Sequence, residues 1–399
     1  MEKKFTVQYM REPKFYNKFY CTGNECPVNC CFGWGIIGWS GKEYENLKNA
    51  DMSTNLREKF NLSFKPVTDE RFKQSFDYMI EFGDSGKCPM LTENGLCMVQ
   101  KELGEGYLSH TCRVYPRKGQ ICGDAFIRTC QTSCMHVLEL ICSDENSMML
   151  ENTRHIGNPI DWYTEYTVTD KINHPALKYY RNLFEFFYDI LSDKTRSIET
   201  SFVLVGMAAQ KIDEFVKKGQ ADKIPEIIKA LKPQLGSAAQ IEKLENAKPN
   251  LSLKGNFAAG LLKILKGSDI YKNVFENGIP SEEKWNEGME KWNDIFEDRP
   301  YVWRNIALNL FISQRMPFRD KEYSLFENIC YLAAEMSVAK FLAAAVPVQF
   351  GNNTEQAFYV STAYIDRSFT HDSVNVKKII DYMKAFGITS PAYLMGILR

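Results

Sequence analysis

The chain has 399 residues, of which 44% are hydrophobic and 25% are charged, so it can fold into two or three globular domains with apolar cores. Its formal net charge of -1 lacks the excess of lysine and arginine seen in nucleic-acid binders, which excludes nucleic acid as a partner. The first ten residues have neither the apolar core nor the cleavage site of a signal peptide, so we expect a cytoplasmic protein.

The cysteines are concentrated in the first part of the chain, and of the twelve only Cys330 lies beyond residue 142. Disulfides are not expected in the cytoplasm, where thiols stay reduced. Thiolate is a soft ligand that selects zinc or iron–sulfur clusters. The five histidines show no zinc-finger spacing beside a Cys-x2-Cys pair, which favours an iron–sulfur cluster. The candidate metal ligands are Cys21, Cys26, Cys30, Cys31, Cys88, Cys97 and Cys112.

The other cysteines have a simpler interpretation, because free cysteine is among the most buried residue types. Cys122, Cys142 and Cys330 are predicted to pack as small apolar side chains. Cys130 and Cys134 are spaced to share one face of a helix, which allows a second metal, although packing is favoured.

The region before residue 145 is irregular, with short apolar runs broken by Gly-Asn, Asp-Ser-Gly and Glu-Asn-Gly turn signals. Loops held by a metal have this pattern. Cys30 and Cys31 are adjacent, and neighbouring side chains usually diverge. We therefore expect at most one of them to bind the same iron set as Cys26.

Helical periodicity begins after a polar stretch at residues 143–158. Apolar residues recur at steps of three and four from Leu177 to Leu191, and a second helix is predicted from about Ser201 to Lys218. Ser281 is the predicted N-cap of a third helix, and Pro300 opens the next. Further helices are predicted at about 322–346, 354–369 and 373–386.

The predicted fold class is mainly α, with a loop-rich, cysteine-rich metal-binding N-terminal domain (residues 1–145) followed by an all-α helical domain (residues 146–399). The most apolar stretch, residues 331–346, carries Glu335 and Lys340 and is shorter than the roughly 20 apolar residues of a membrane helix. It is predicted to be a buried helix, and no membrane is expected as a partner. No alternation of strands and helices with a Gly-rich turn supports a Rossmann-type domain.

Several motifs, taken in order, resemble a known family. They are Cys30-Cys31-Phe32-Gly33-Trp34, Cys88-Pro89-Met90-Leu91, Gly95-Leu96-Cys97, Thr111-Cys112-Arg113-Val114-Tyr115-Pro116-Arg117, Pro300-Tyr301-Val302-Trp303-Arg304-Asn305 and Arg367-Ser368-Phe369-Thr370-His371. Over nearly the whole chain this order resembles the flagellin lysine N-methylase family, whose N-terminal region is similar to iron- or zinc-chelating proteins with a Cys-x2-Cys-x2-Cys-Cys signature. The first cysteine group has wider spacing than that signature, which leaves the choice of ligands open.

The resemblance implies an enzyme that transfers a methyl group from S-adenosylmethionine to lysines of flagellin and carries a [4Fe-4S] cluster, with zinc as the alternative. Lysine attacks only as the neutral amine, so a site must lower an amine pKa of about 10.4 or supply a proton acceptor, such as a buried tyrosine or carboxylate. Tyr115 and Arg117, which follow Cys112, are the candidate catalytic residues. Arg117 could equally be a structural ion-pair partner.

Three further residues are candidates for binding the methyl donor. Trp34 could hold a sulfonium by cation–π contact, although an aromatic residue in such a region is more often part of the core. Arg367 and His371 are spaced to lie on one face of a predicted helix, where a guanidinium and an imidazole could meet the donor. A surface salt bridge is the simpler interpretation of this pair.

Two other functions are compatible with the sequence. A non-enzymatic metalloprotein, in which iron–sulfur or zinc holds a binding module together, would need the metal but would not bind S-adenosylmethionine. Redox sensing through exposed thiolates would require cysteines of low pKa. Metal analysis combined with titration of S-adenosylmethionine distinguishes the enzyme from the binding module.

Overall fold

A computed structural model describes residues 9–26, 29–32, 35–122, 125–152, 164–167, 174–265, 281–350, 354–370 and 373–399. The fold is mainly α, as predicted. Within the described ranges, we find no helix with both the length and the apolar character needed to span a bilayer.

The helices are α1 (Gly41–Lys48), α2 (Thr54–Ser63), α3 (Glu70–Lys73), α4 (Met98–Leu103), α5 (His110–Val114), α6 (Met135–Cys142), α7 (Tyr180–Ser192), α8 (Ile198–Lys217), α9 (Ile224–Leu231), α10 (Ala238–Glu245), α11 (Leu251–Ile264), α12 (Glu282–Phe296), α13 (Val302–Ser313), α14 (Leu325–Phe350), α15 (Thr354–Thr370), α16 (Ser373–Ala385) and α17 (Pro391–Leu398). The strands are β1 (Tyr9–Pro13), β2 (Ile36–Trp39), β3 (Phe64–Pro66), β4 (Tyr78–Glu81), β5 (Arg117–Cys122), β6 (Ala125–Cys130), β7 (Leu150–Asn152) and β8 (Thr164–Thr167).

The N-terminal region contains two small sheets that the sequence analysis did not predict. The larger has the strand order β7-β1-β6-β5-β8, with β1 parallel to β6, β5 antiparallel to β6, and β8 parallel to β5. The smaller is antiparallel, in the order β2-β4-β3. Their strands have six residues or fewer, too few to show a clear period of two in the sequence.

The apolar side chains form one large core and a smaller one within the cysteine-rich region. The large core joins Ile127 of β6 and Leu138 of α6 to helical residues such as Phe184 and Phe311. The small core is built from residues of β2, α1, α2, β4 and α4, with the side chains of Cys88 and Cys97 partly buried against it. The larger sheet therefore packs directly on the helices. The domain boundary near residue 145 stays a prediction.

Several predicted helix starts are confirmed. Ser281 caps α12 by accepting a hydrogen bond from Lys284 N, and α13 begins two residues after Pro300. The predicted buried helix is α14, whose described side chains are largely buried. Its first turn is capped from another helix, because the Asp213 carboxylate on α8 accepts the N–H groups of Leu325 and Phe326 over 3.0 and 2.8 Å.

Helices α1–α6 of the cysteine-rich region were not predicted from the sequence, and neither were α9, α10, α11 and α17 of the helical part. In α11 the residues Gly255 and Gly260 lower the helix propensity, but the packing explains the second glycine. A Cβ at Gly260 would collide with the hydroxyl of Tyr382, which donates to Phe257 O over 3.1 Å. Tertiary contact overrides local propensity here.

Helices α12 and α14 approach each other so closely at Gly288 that a Cβ there would overlap the backbone carbonyl of Ala344. We expect Gly288→Ala to lower the free energy of unfolding by about 1–3 kcal/mol, because the backbone of α14 cannot rotate away as a side chain can. Chemical denaturation measures this. Gly106→Ala, at an exposed position with open space around the added methyl, is the control and should leave stability nearly unchanged.

Candidate metal centre

Two loops and the short helix α5 converge next to the small sheet. The turn at residues 29–32 is closed by a 3.0 Å hydrogen bond between its ends. Cys88 N donates to Cys31 O over 2.8 Å, which ties the turn to the second loop, and that loop is closed by a β-bridge between Leu91 and Cys97. Backbone hydrogen bonds thus bring cysteines from distant parts of the sequence together.

Five thiols lie close enough for the charge of one to act on the pKa of another. Burial raises the pKa of Cys88 to about 11, and the charges of Cys97 and Cys30 add to this effect. Burial also raises the pKa of Cys112, again with the charges of Cys30, Cys97 and Cys88. We call this group the five-cysteine site. It consists of Cys30, Cys31, Cys88, Cys97 and Cys112.

Cys30 and Cys31 are hydrogen-bonded to each other through their side chains. This bond lowers the pKa of Cys30 to about 7, with help from the charge of Arg367, and it raises the pKa of Cys31. The expectation that the two side chains diverge is wrong, because both residues lie in the middle of one tight turn. That at most one of them binds the metal stays a prediction.

Two of the sulfurs accept hydrogen bonds from backbone N–H groups. Val99 and Gln100, in the first turn of α4, donate to the Cys97 sulfur and lower its pKa, although burial outweighs them. Met90 N–H acts in the same way on Cys88. Hydrogen bonds to cysteine sulfur are a means by which proteins tune iron–sulfur clusters.

Cys112 is exposed to solvent although the surrounding protein desolvates its thiol. Ser109 caps α5 by accepting a hydrogen bond from Cys112 N over 3.2 Å, and its hydroxyl also hydrogen-bonds to the Cys112 sulfur. The five-cysteine site is open to solvent at Cys112.

Arg367, on α15, reaches this site from the helical part of the chain. Its Nε donates to Ser133 O over 3.3 Å and its Nη1 to Phe32 O over 3.4 Å. Its Nη2 is buried and has no hydrogen-bond partner among the described residues. Tyr115 donates its hydroxyl to Ser133 Oγ over 3.1 Å. In the described part of the chain, Arg367 is thus bound to backbone carbonyls and not to a surface carboxylate.

The other predicted site residues are placed differently. Arg117, at the start of β5, lies over the ring of Phe19 at 5.1 Å. Its positive charge acts to lower the pKa of Cys130 on the paired strand β6, although burial raises that pKa. Cys21 is exposed on the loop between two short helical turns, and Cys26 acts on the pKa of Cys134. Trp34 and His371 lie outside the described residues.

The cysteines that were predicted to pack are largely in the core. Cys142 and Cys330 are buried among apolar side chains, which confirms the prediction for both, and Cys130 is fully buried. The side chain of Cys122 lies outside the described residues. Cys134 packs against the same core, and its pKa is raised to about 12 by burial and by the nearby charges of Cys26 and Cys30.

A buried pair of carboxyl groups lies behind Arg367, formed by Asp366 of α15 and Glu335 of α14. Burial raises the pKa of both groups, and their mutual interaction raises that of Glu335 further. Gln314 donates to Glu335. The only sequence signal for this pair was a carboxylate inside the most apolar stretch of the chain.

The donor set suits a soft metal, since five thiols converge. Among the residues that the structure describes, no group of three or more cysteine, histidine, aspartate or glutamate side chains is placed to hold a metal ion. Sulfur ligands with backbone N–H donors nevertheless fit the chemistry of an iron–sulfur cluster.

The part of the chain that contains Arg367 matches a family model. The model describes the FliB lysine N-methylase C-terminal domain, and it matches residues 184–397. The chain belongs to the FliB lysine N-methylase family.

Individual relatives extend the similarity into the cysteine-rich region. The chain is 27% identical over 371 residues to a lysine-N-methylase of Salmonella typhimurium strain LT2, covering 86% of each chain. A lysine-N-methylase of Salmonella choleraesuis gives the same identity and coverage. The flagellar biosynthetic protein FliU of Salmonella muenchen is 32% identical over 151 residues, covering 37% of this chain and 83% of that protein. No solved structure matches.

Proposed function

We propose that this member of the FliB family transfers a methyl group from S-adenosylmethionine to lysine side chains of flagellin and holds a [4Fe-4S] cluster in the five-cysteine site. The observation that carries the proposal is that backbone hydrogen bonds join the loops of the five-cysteine site, where the thiols lie close enough to act on one another's pKa, with Cys112 exposed and the charge of Arg367 acting on Cys30. Flagellin as the substrate rests on the names of the relatives, which are lysine-N-methylases and a flagellar biosynthetic protein.

The five thiols would supply three or four ligands to the cluster, and of Cys30 and Cys31 the one that is not a ligand would orient the turn at residues 29–32. Bound there, the cluster would supply a redox-active and Lewis-acidic iron centre next to the site of methyl transfer. Zinc is the alternative metal, because thiolates bind it as well.

We expect Arg367 to bind the methyl donor at this site. Its Nη2 is buried without a described partner, and a buried guanidinium donor favours an anionic acceptor. The carboxylate of S-adenosylmethionine is such an acceptor. The two backbone carbonyls that hold Arg367, those of Ser133 and Phe32, would keep the guanidinium beside the turn that carries Cys30.

The reaction itself needs a neutral amine. The lysine nitrogen forms a new C–N bond to the methyl carbon while the C–S bond breaks, its electrons stay on sulfur, and one proton leaves the nitrogen. The buried pair of Asp366 and Glu335 adjoins Ser133 and binds a proton more readily than an exposed carboxyl group would. This pair is our candidate for the final proton acceptor, and Tyr115 is bound to the same Ser133 through its hydroxyl.

Anaerobic purification with iron, sulfide and zinc analysis tests the metal, and calorimetric titration with S-adenosylmethionine tests the donor. We expect roughly four irons with matching sulfide per chain, and saturable binding of the donor. The same sample should methylate purified flagellin, as detected by mass spectrometry. Removal of iron with a chelator should abolish the methylation.

Two results would contradict the proposal. Zinc without sulfide would exclude the iron–sulfur cluster. A metal-loaded protein that neither binds S-adenosylmethionine nor methylates flagellin would leave a metalloprotein without this enzymatic activity.

A further inference from the structure

A cavity of about 340 Å³ lies among α8, α11, α12, α13 and α14, and no residue of the five-cysteine site lines it. Its volume is in the range of pockets for small molecules. Indole side chains form much of its wall, from Trp285 and Trp292 on α12 and from Trp303 on α13. The charged groups that line it are Glu199, Lys254, Lys340 and Arg399.

Lys254 is the unusual member of this group. Its side chain is only 5% exposed, and no described carboxylate lies within ion-pair distance of its ammonium. The contacts of Nζ are a long hydrogen bond of 3.4 Å to Leu398 O and the ring of Trp285 at 5.1 Å. Burial without a counter-charge lowers its pKa to about 8. A buried cation of this kind is costly unless an anion joins it.

The remaining charges leave the cavity positive. Glu199 is engaged by Lys340 in an ion pair, and the Arg399 guanidinium donates to Leu244 O over 2.8 Å. The charged side chains of the lining are thus one Lys340–Glu199 pair, which is neutral as a whole, and two further cations, Lys254 and Arg399. A cationic ligand, such as a methylated ammonium group, would meet repulsion here despite the aromatic walls.

We propose that this cavity binds a small planar aromatic ligand that carries a phosphate or carboxylate group, with its ring against the indoles and its anion on Lys254. Aromatic stacking supplies apolar burial, and the ammonium supplies a charge-assisted hydrogen bond. Nucleotides and aromatic carboxylates share this chemistry. The site is separate from the one in the proposed function and does not depend on it.

Calorimetry with adenosine 5′-monophosphate, adenosine and adenosine-5′-carboxylic acid tests the site on the full-length protein. We expect at least one of the two anionic probes to bind, and adenosine to bind at least about tenfold more weakly than that probe. Preference for the monophosphate would indicate a phosphate ligand, and preference for the carboxylic acid would indicate a carboxylate ligand. Failure of both anionic probes to bind at 1 mM would overturn the proposal.

The variant Lys254→Met gives a second readout. It should weaken binding of the anionic probe at least about tenfold while leaving the melting temperature equal or higher, because an unpaired buried charge is removed. If Lys254 had only a structural role, its replacement would instead lower the melting temperature. Lys263→Met, at an exposed position on the same helix, should bind as the wild type does.

The site is refuted if Lys254→Met binds the probe as tightly as Lys263→Met. Trp303→Leu, which leaves the charge in place and removes an aromatic wall, should also weaken binding. A variant in the five-cysteine site, Cys112→Ser, should keep the affinity for the anionic probe. Its failure to methylate would then be a separate result, so the two proposals can fail independently.

Discussion

The variant Cys112→Ser is expected to lose its bound iron and at least about 100-fold of its methyl-transfer activity. Residues that only support a metal ligand account for about 10- to 100-fold, and loss of a ligand should exceed this. The serine hydroxyl has nearly the same shape, but it is a hard ligand that stays protonated near neutral pH. The other protein groups around Cys112 are unchanged by the substitution, including the capping Ser109.

Iron and sulfide analysis, with the ultraviolet–visible spectrum of the anaerobic protein, measures this loss. Cys330→Ala is the matched control, because Cys330 is buried in the helical core. It should lose some stability, of the order of 1 kcal/mol, and keep its iron. If Cys112→Ser retained full iron and activity, Cys112 would not be a ligand.

The variant Arg367→Lys is expected to weaken binding of S-adenosylmethionine at least about tenfold while the chain stays folded. The guanidinium donates to Ser133 O and Phe32 O at once and still has Nη2 to offer, whereas an ammonium is a compact group that cannot span both carbonyls. The loss should appear in the dissociation constant of the donor measured by calorimetry. Iron content should fall less than in Cys112→Ser.

Arg299→Lys provides a control that separates stability from function. Arg299 makes a two-pronged ion pair with Glu355, at the other end of α15, over 2.8 and 3.2 Å. Its replacement should lower stability by about 1 kcal/mol without changing donor binding. Equal donor affinity in Arg367→Lys and wild type would show that Arg367 has a structural role only.

Local sequence signals predicted much of the helical part. The cap Ser281 begins a helix because a serine oxygen at this position satisfies a free N–H group of the first turn, which is a local property. The apolar stretch around Tyr331 predicted a buried helix for a similar reason, since its composition alone requires burial. Helix α8 begins at Ile198, three residues before the predicted start at Ser201, because Ser197 serves as its N-cap.

The candidate site was predictable in its chemistry and only partly in its membership. Thiolate softness, read from the sequence, selects the class of metal whatever the fold. Which residues form the site depends on the path of the loops in space. Arg367, for example, donates a hydrogen bond to Phe32 O from 335 residues away in the sequence. No period or motif spacing encodes such a contact.

The sequence by itself determined the mainly α composition, the concentration of cysteines and the resemblance to the lysine N-methylases, because each depends on residue types and short-range spacing. Only the tertiary structure decided that Cys30 and Cys31 face each other, that Gly260 must make room for Tyr382, and that Lys254 lies buried without a counter-charge. The first feature depends on the tight turn at residues 29–32, and the other two arise where elements distant in sequence pack together. Packing brings such groups into contact irrespective of what the neighbouring residues prefer.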